Sequence, residues 1–269
     1  MSELIIKPSA EPQEDGVIIS VTPASAGWEY VGFQVVTLQA GQKFHRDTLG
    51  QEVCLVLISG KADVKTKQSE WVGIGERMSV FEHIPPYSVY VPNQDQYEVT
   101  AITELELAIC SAPGKGNYPA RLIPPRAVGV ETRGYGSLER QVHNILPESE
   151  EADSLLVVEV FTPAGHWSSY PPHKHDRDAL PDESFLEETY YFRVEPEQGF
   201  AIQRVYTDDR SLDETLVVAN GQTTLVPKGY HPVSAPPGYE VYYLNVMAGP
   251  TRTWKFHNDP NHAWIINSK

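Results

Sequence analysis

Short runs rich in Val, Ile, Tyr and Thr, broken by proline and glycine, set the pattern of this chain. The 22 prolines and 19 glycines are spread between those runs and argue against long helices, because proline removes a backbone donor and glycine favours turns. The pattern predicts strands at Tyr30 to Leu38, Val53 to Ser59, Ser88 to Val91, Leu105 to Cys110, Leu155 to Phe161, Glu188 to Arg193, Phe200 to Tyr206, Thr215 to Val218 and Val241 to Val246. The expected fold class is all-β.

The two halves share an outline. In each, a strand ends in Ala-Gly (Ala40-Gly41; Ala164-Gly165), a histidine-bearing stretch follows, and an acidic residue opens an apolar strand. That strand is Gln51-Glu52-Val53-Cys54-Leu55-Val56 in one half and Glu187-Glu188-Thr189-Tyr190-Tyr191-Phe192 in the other. A duplicated β-barrel explains this economically. With 269 residues the chain accommodates two cores of about 130 residues each. The join falls in the Pro- and Gly-rich stretch from Ser111 to Gln141, giving expected domains 1–125, without a metal, and 126–269, with one. Acidic Pro147 to Asp153 reads as a solvated loop.

Net charge narrows the partners. At −15 the chain is a poor match for nucleic acid or an anionic membrane, so neither is expected, and an anionic substrate must meet a local positive site. Cys54 lies in an apolar run, where a buried free thiol is the ordinary outcome; Cys110 is the other cysteine. The start, Met1 to Ile6, lacks the basic residues and long apolar stretch of a signal peptide, and no segment has membrane-spanning length. The expected location is cytoplasmic.

Candidate chemistry centres on His173-Lys174-His175, then Glu187-Glu188, then Gly221 to His231. Histidines at i and i+2 of a strand project to one face. The pattern Gly-x5-Pro-x-Gly-x-His brings His231 out of a tight turn, so a third imidazole and one of the two glutamates can converge on the pair. That is a divalent metal site inside a β-barrel. In the first half, His45 and Glu52 stand where such a motif would begin, but no His-x-His follows, and Ile84-Pro85-Pro86-Tyr87-Ser88 occupies the place of a late histidine. His83, His143, His166, His257 and His262 have no partners at ligand spacing and read as surface or core residues.

These residues resemble the cupin superfamily, with its Gly, His-x-His, Glu motif and its later Gly-x5-Pro-x-Gly and His. The chain departs from it by one residue fewer before His231, by a long Gly165 to His173 spacing and by an insertion, Asp176 to Leu186. That combination resembles the 5-deoxy-glucuronate isomerase family of bacterial inositol catabolism. So do Arg133-Gly134-Tyr135-Gly136, Arg140 to Ile145, Tyr170 to Asp176, Gln203 to Asp209 and Met247 to Pro250. The resemblance implies a bicupin, two tandem jelly-roll-like barrels, that interconverts 5-deoxy-D-glucuronate and 5-dehydro-2-deoxy-D-gluconate, an aldose to ketose isomerisation.

It also implies the ligand set His173, His175, Glu188 and His231, with Glu188 preferred to Glu187 because cupin strands offer the carboxylate just before the apolar alternation. One divalent ion is expected, zinc or manganese, although iron and nickel suit the same donors. Glu187, Lys174, Tyr190 and Tyr206 are the proton-transfer candidates, and Arg193 and Arg204 the candidates for the substrate carboxylate. The insertion is expected to shape or cover the barrel mouth. The expected partners are a small sugar acid and, through exposed sheet edges, a second copy in a homodimer. Competing readings are a metal-dependent cupin dioxygenase, another uronate ketol-isomerase and a non-catalytic sugar-binding bicupin.

Overall fold

The computed structural model describes residues 2–267 and consists almost wholly of antiparallel strands with a few short helical turns. It divides into two compact units: residues 8–129 with 143–158, and residues up to 7, 130–142 and from 159 onward. This differs from a single cut at 125/126. Strand pairing, not position in the chain, decides membership: Ile5 and Ile6 lie opposite Thr224 and Thr223, so the start of the chain belongs with the later strands.

In the N-terminal unit one sheet runs in the order Arg121–Ile123, Ser88–Val91, Gln51–Ser59, Leu105–Pro113, Gly32–Leu38, Val17–Val21. The other runs Lys43–Asp47, Gln96–Ala101, Ala62–Thr66, Glu70–Ile74. Alternation turns Val53, Leu55 and Leu57 onto Val36, Phe44, Val64, Val89, Val91 and Val99, and methyl groups fill the interior. Each buried Val or Leu stabilises by about 1.5–3 kcal/mol. On the opposite face, the fully buried Glu52 accepts the Tyr90 hydroxyl (2.6 Å) and the N–H groups of Asp153 (2.7 Å), Ser154 (2.6 Å) and Leu155 (2.6 Å). The acidic loop is exposed from Glu148 to Glu151 and tied down there. Cys54 and Cys110 are free and buried, and burial pushes the Cys54 thiol up to about 12, out of nucleophilic range.

The C-terminal unit repeats the two-sheet plan. Its larger sheet places Ile5–Ile6, Thr223–Val226, Glu187–Glu195, Glu240–Ala248 and Leu156–Thr162 side by side, and its smaller one Trp167–Ser168, Val233–Ser234, Phe200–Tyr206 and Asp213–Ala219. Tyr190, Phe192, Val194, Val241 and Tyr243 from the first pack on Ala201, Val205, Leu216, Val218 and Val233 from the second. Two short pairs, His173–Lys174 with His257–Asn258 and Asp176–Ala179 with Glu183–Phe185, stand at one end of this core.

Candidate metal centre

Along Glu187–Glu195 the side chains alternate, so Glu188, Tyr190 and Phe192 share one face and Glu187, Thr189 and Arg193 the other. His231 reaches the Glu188 face by a turn that requires glycine. Gly229 has φ of 88°, and a Cβ there would lie 2.4 Å from the Tyr206 carbonyl oxygen. The next residue, Tyr230, exchanges two backbone hydrogen bonds with Tyr206, at 2.8 and 2.9 Å, which fixes where His231 leaves the turn. The three imidazoles then gather, with ring centroids of His173 and His175 at 4.9 and 5.1 Å from that of His231 and one nitrogen of each ring within 4.8 Å of the others. Glu188 Oε2 stands 3.1 Å from His175 Nε2 and 3.2 Å from His231 Nε2.

Hydrogen bonds set the tautomers. His175 Nδ1 lies 3.1 Å from the Leu186 carbonyl and His231 Nδ1 lies 2.8 Å from the Gly229 carbonyl, so each Nδ1 donates; the Nε2 of neutral His231 then presents a lone pair, while His175 Nε2 is within hydrogen-bond distance of Glu188 Oε2. His231 Nε2 is buried and makes no hydrogen bond. Facing it is a carboxylate oxygen, another acceptor. Burial, with the neighbouring imidazoles, holds His173 well below the ordinary histidine range, and burial lowers His231 as well. Burial also acts downward on His175, but the hydrogen bond and charge of Glu188 outweigh it and raise that group. Asn245 Nδ2 donates to Glu188 Oε1 at 2.8 Å and fixes the carboxylate. Three imidazole nitrogens and one carboxylate oxygen, with an orphaned buried lone pair among them, fit the donor set of a first-row divalent cation.

Of the residues expected to move protons or bind the carboxylate, Tyr190 faces these ligands. Its ring centroid is 5.8 Å from that of His231, its hydroxyl is 3.3 Å from Ser169 Oγ, and burial and the Glu188 charge keep the phenol well above its usual range, hence protonated. The others lie elsewhere. Lys174, between two ligands, points to the opposite side, where Nζ meets Asp176 (2.6 Å), Glu183 (3.4 Å) and Asp208 (3.4 Å). The second Asp176 oxygen accepts the Gly229 N–H at 2.8 Å, so this ion cluster ties the His173–His175 segment to the turn that carries His231. Glu187 and Arg193 occupy the far face of their strand. Tyr206 donates to Asp259 at 2.8 Å with Arg204 and Arg210 over its ring, and Arg204 forms a two-bond pair with Asp213, both at 2.8 Å. Sequence neighbours of inward-facing residues face outward in a strand, which is why proximity in sequence misplaced them.

Beside His173 opens a cavity of about 720 Å³ whose wall includes Arg133, Arg140, Tyr170, Trp254 and Phe256. The Phe256 ring centroid lies 4.7 Å from that of His173. The sequence marks both arginines only as part of segments resembling the isomerase family and assigns neither a role; basic residues in an acidic chain were the available signal. No described residue of the Asp176 to Leu186 insertion lines this cavity. Arg177, Pro181 and Asp182 of the insertion line a neighbouring cavity that shares Phe256, and the insertion anchors the His173–His175 segment, because fully buried Glu183 accepts the Asp176 N–H (2.9 Å) and Arg177 Nε (2.9 Å).

Residues 4–265 match the KduI/IolB family. The chain is 68% identical over 269 residues to the 5-deoxy-glucuronate isomerase of Geobacillus kaustophilus (strain HTA426), covering 100% of this chain and 97% of that one. It is 51% identical to the 5-deoxy-glucuronate isomerase of Bacillus subtilis (strain 168), covering 99% of each. Among solved structures, an IolB-like protein from Salmonella typhimurium LT2 superposes with a TM-score of 0.96 at 55% identity, over 98% of this chain and 100% of that one. Oxalate decarboxylase of Lactobacillus farciminis superposes with a TM-score of 0.65 at 12% identity, over 100% and 91% of the two chains, a likeness of fold alone. The fold is all-β and of the bicupin kind.

Proposed function

Because the chain belongs to the KduI/IolB family, we propose that it is a 5-deoxy-glucuronate isomerase, converting 5-deoxy-D-glucuronate to 5-dehydro-2-deoxy-D-gluconate in myo-inositol catabolism. Three imidazoles and Glu188 converge beside a protonated Tyr190, and that convergence carries the chemistry.

Aldose to ketose isomerisation moves a proton between adjacent carbons through an enediol: a base in the cavity takes the C2 proton and returns it at C1, a proton passes between the two oxygens, and the charge that develops there is stabilised. His173, His175, Glu188 and His231 would hold one divalent ion, zinc or manganese, since the reaction is redox-neutral; iron and nickel suit the same donors. When bound, that ion supplies Lewis acidity for the substrate's carbonyl and hydroxyl oxygens. Asn245 keeps the Glu188 carboxylate oriented. Tyr190 holds a proton at the substrate oxygens, and Ser169, 3.3 Å from its hydroxyl and 3.4 Å from that of Tyr243, links the two phenols for proton return. Trp254 and Phe256 give the cavity beside His173 an aromatic wall. Glu187, Lys174 and Tyr206 face away and take no part in this scheme. The scheme is completed by a cytoplasmic location and a homodimer; among the described residues no helix is long and apolar enough to cross a membrane.

The test is conversion of 5-deoxy-D-glucuronate by metal-reconstituted protein without oxygen, followed by NMR. Tyr190→Phe should lower kcat roughly 100-fold with metal content unchanged. Turnover that requires oxygen would favour the dioxygenase reading, and tight sugar-acid binding without turnover the non-catalytic one.

A further inference from the structure

We propose that Arg140 is the residue that recognises the substrate's carboxylate, a deduction that rests on the isomerase acting on a uronate. In a chain of net charge −15, an anionic sugar needs a cation that the protein has not already neutralised. Arg204 is held by Asp213, Arg177 by Glu183 (2.7 Å), Lys174 by three carboxylates, and Arg133 by Glu131 (2.6 Å) while it lies over the Trp254 ring. Arg140 differs from all of them. Its side chain is half-buried in the wall of the cavity that also contains His173, it donates to the neutral Leu138 carbonyl at 3.1 Å, and it makes no ion pair among the described residues.

The surroundings sharpen the need for an anion. Burial lowers the affinity of Arg140 for its proton; Tyr243 and Glu131 act against that and the Arg133 charge adds to it, and the guanidinium remains charged. A half-buried cation to which no carboxylate is bonded gains most from one, which its planar fork binds through two parallel hydrogen bonds. Gly134 makes the room. A Cβ at that position would lie 2.8 Å from an Arg140 guanidinium nitrogen and 2.1 Å from the Leu138 carbonyl oxygen that the guanidinium uses. Arg140 and His173 line the same cavity, so anchor and ligand residue face one space. A six-carbon acid lying in that space puts its carboxylate on Arg140 and its carbonyl end toward His173. Arg140 thereby sets both the preference for an acid and the direction in which it lies.

The experiment compares wild type, Arg140→Met and Arg140→Lys on 5-deoxy-D-glucuronate and on 5-deoxy-D-glucose, in which a hydroxymethyl group replaces the carboxylate. Arg140→Met should raise KM for the acid roughly 100-fold and change KM for the neutral sugar by less than about threefold, with Arg140→Lys restoring part of the preference. Metal content and melting temperature, measured alongside, separate recognition from misfolding. Equal losses on the two sugars, or an unchanged KM for the acid, would overturn the assignment. Calorimetric titration of the metal-loaded proteins with D-glucuronate and D-glucose addresses recognition apart from turnover. If wild type does not isomerise the acid, the isomerase reading fails, but loss of the glucuronate preference in Arg140→Met still supports the anchor and its retention refutes it.

Discussion

In the strand Gln51–Ser59 the side chains turned into the N-terminal unit are Val53, Leu55 and Leu57, whereas in Glu187–Glu195 those turned into the C-terminal unit are Glu188, Tyr190, Phe192 and Val194. The registers match. Val53 lies opposite Val91 and Glu188 opposite Val226, and each of those partners precedes a proline, Pro92 or Pro227. Val53 therefore occupies the place of Glu188, and Glu52 that of Glu187. Aligning the halves by their apolar runs puts Glu52 with Glu188, one residue away, and a slip of one residue reverses every face. His45 is exposed as well, while its neighbour Phe44 fills the interior. One scaffold thus serves two ends: methyl groups inside make a core, and convergent lone pairs inside make a site.

That contrast can be broken at several points. The largest effect is expected from His231→Ala, which removes the imidazole with the orphaned Nε2; metal should be lost and turnover should fall on the order of 1000-fold, read by metal analysis and initial rates. Glu52→Gln tests the other unit. It disturbs a buried carboxylate that accepts four hydrogen bonds, so stability should drop by about 3 kcal/mol in denaturant titrations while metal content stays the same. Asn245→Ala leaves every ligand in place but frees the Glu188 carboxylate, and equilibrium competition with a chelator should show metal affinity weakened about 10- to 100-fold.

The smallest effect concerns acid. Burial acts to raise the Asp153 carboxyl, but hydrogen bonds from the N–H groups of Lys115 and Gly116 and from Asn117 outweigh it and hold the group below its usual range. Its contribution to stability is therefore present above the unfolded value, near 3.8, and is lost as pH falls through the lower folded value. Asp153→Asn should flatten the acid limb of a melting-temperature profile below about pH 4 and leave neutral-pH turnover intact. An unchanged acid limb would separate Asp153 from the anchoring of that loop.

Much of the fold was legible because its central strands are apolar on both faces or alternate cleanly, as in Val53 to Ser59 and Phe200 to Tyr206. Strands such as Lys43–Asp47 and Ala62–Thr66 were hidden, since Lys43, His45, Asp63 and Lys65 on their solvent side dilute the pattern. The histidine cluster was legible for a local reason: i, i+2 parity and a turn that admits only glycine at Gly229. Arg140 was not, because it lines one cavity with His173 and Phe256 only in the folded chain, and residues that far apart leave no periodic trace. The short strand Ile5–Ile6 was invisible for the same reason, being recruited by Thr223–Val226 from the other end of the chain.

The central claim is that one metal in the C-terminal unit supports isomerisation, and the most direct measurement is metal content and 5-deoxy-D-glucuronate turnover on the same preparations of wild type and Glu188→Ala. The account predicts about one ion per chain with turnover in wild type, and loss of both in the variant. A Glu188→Ala protein that carries no metal yet isomerises the acid at the wild-type rate would contradict it.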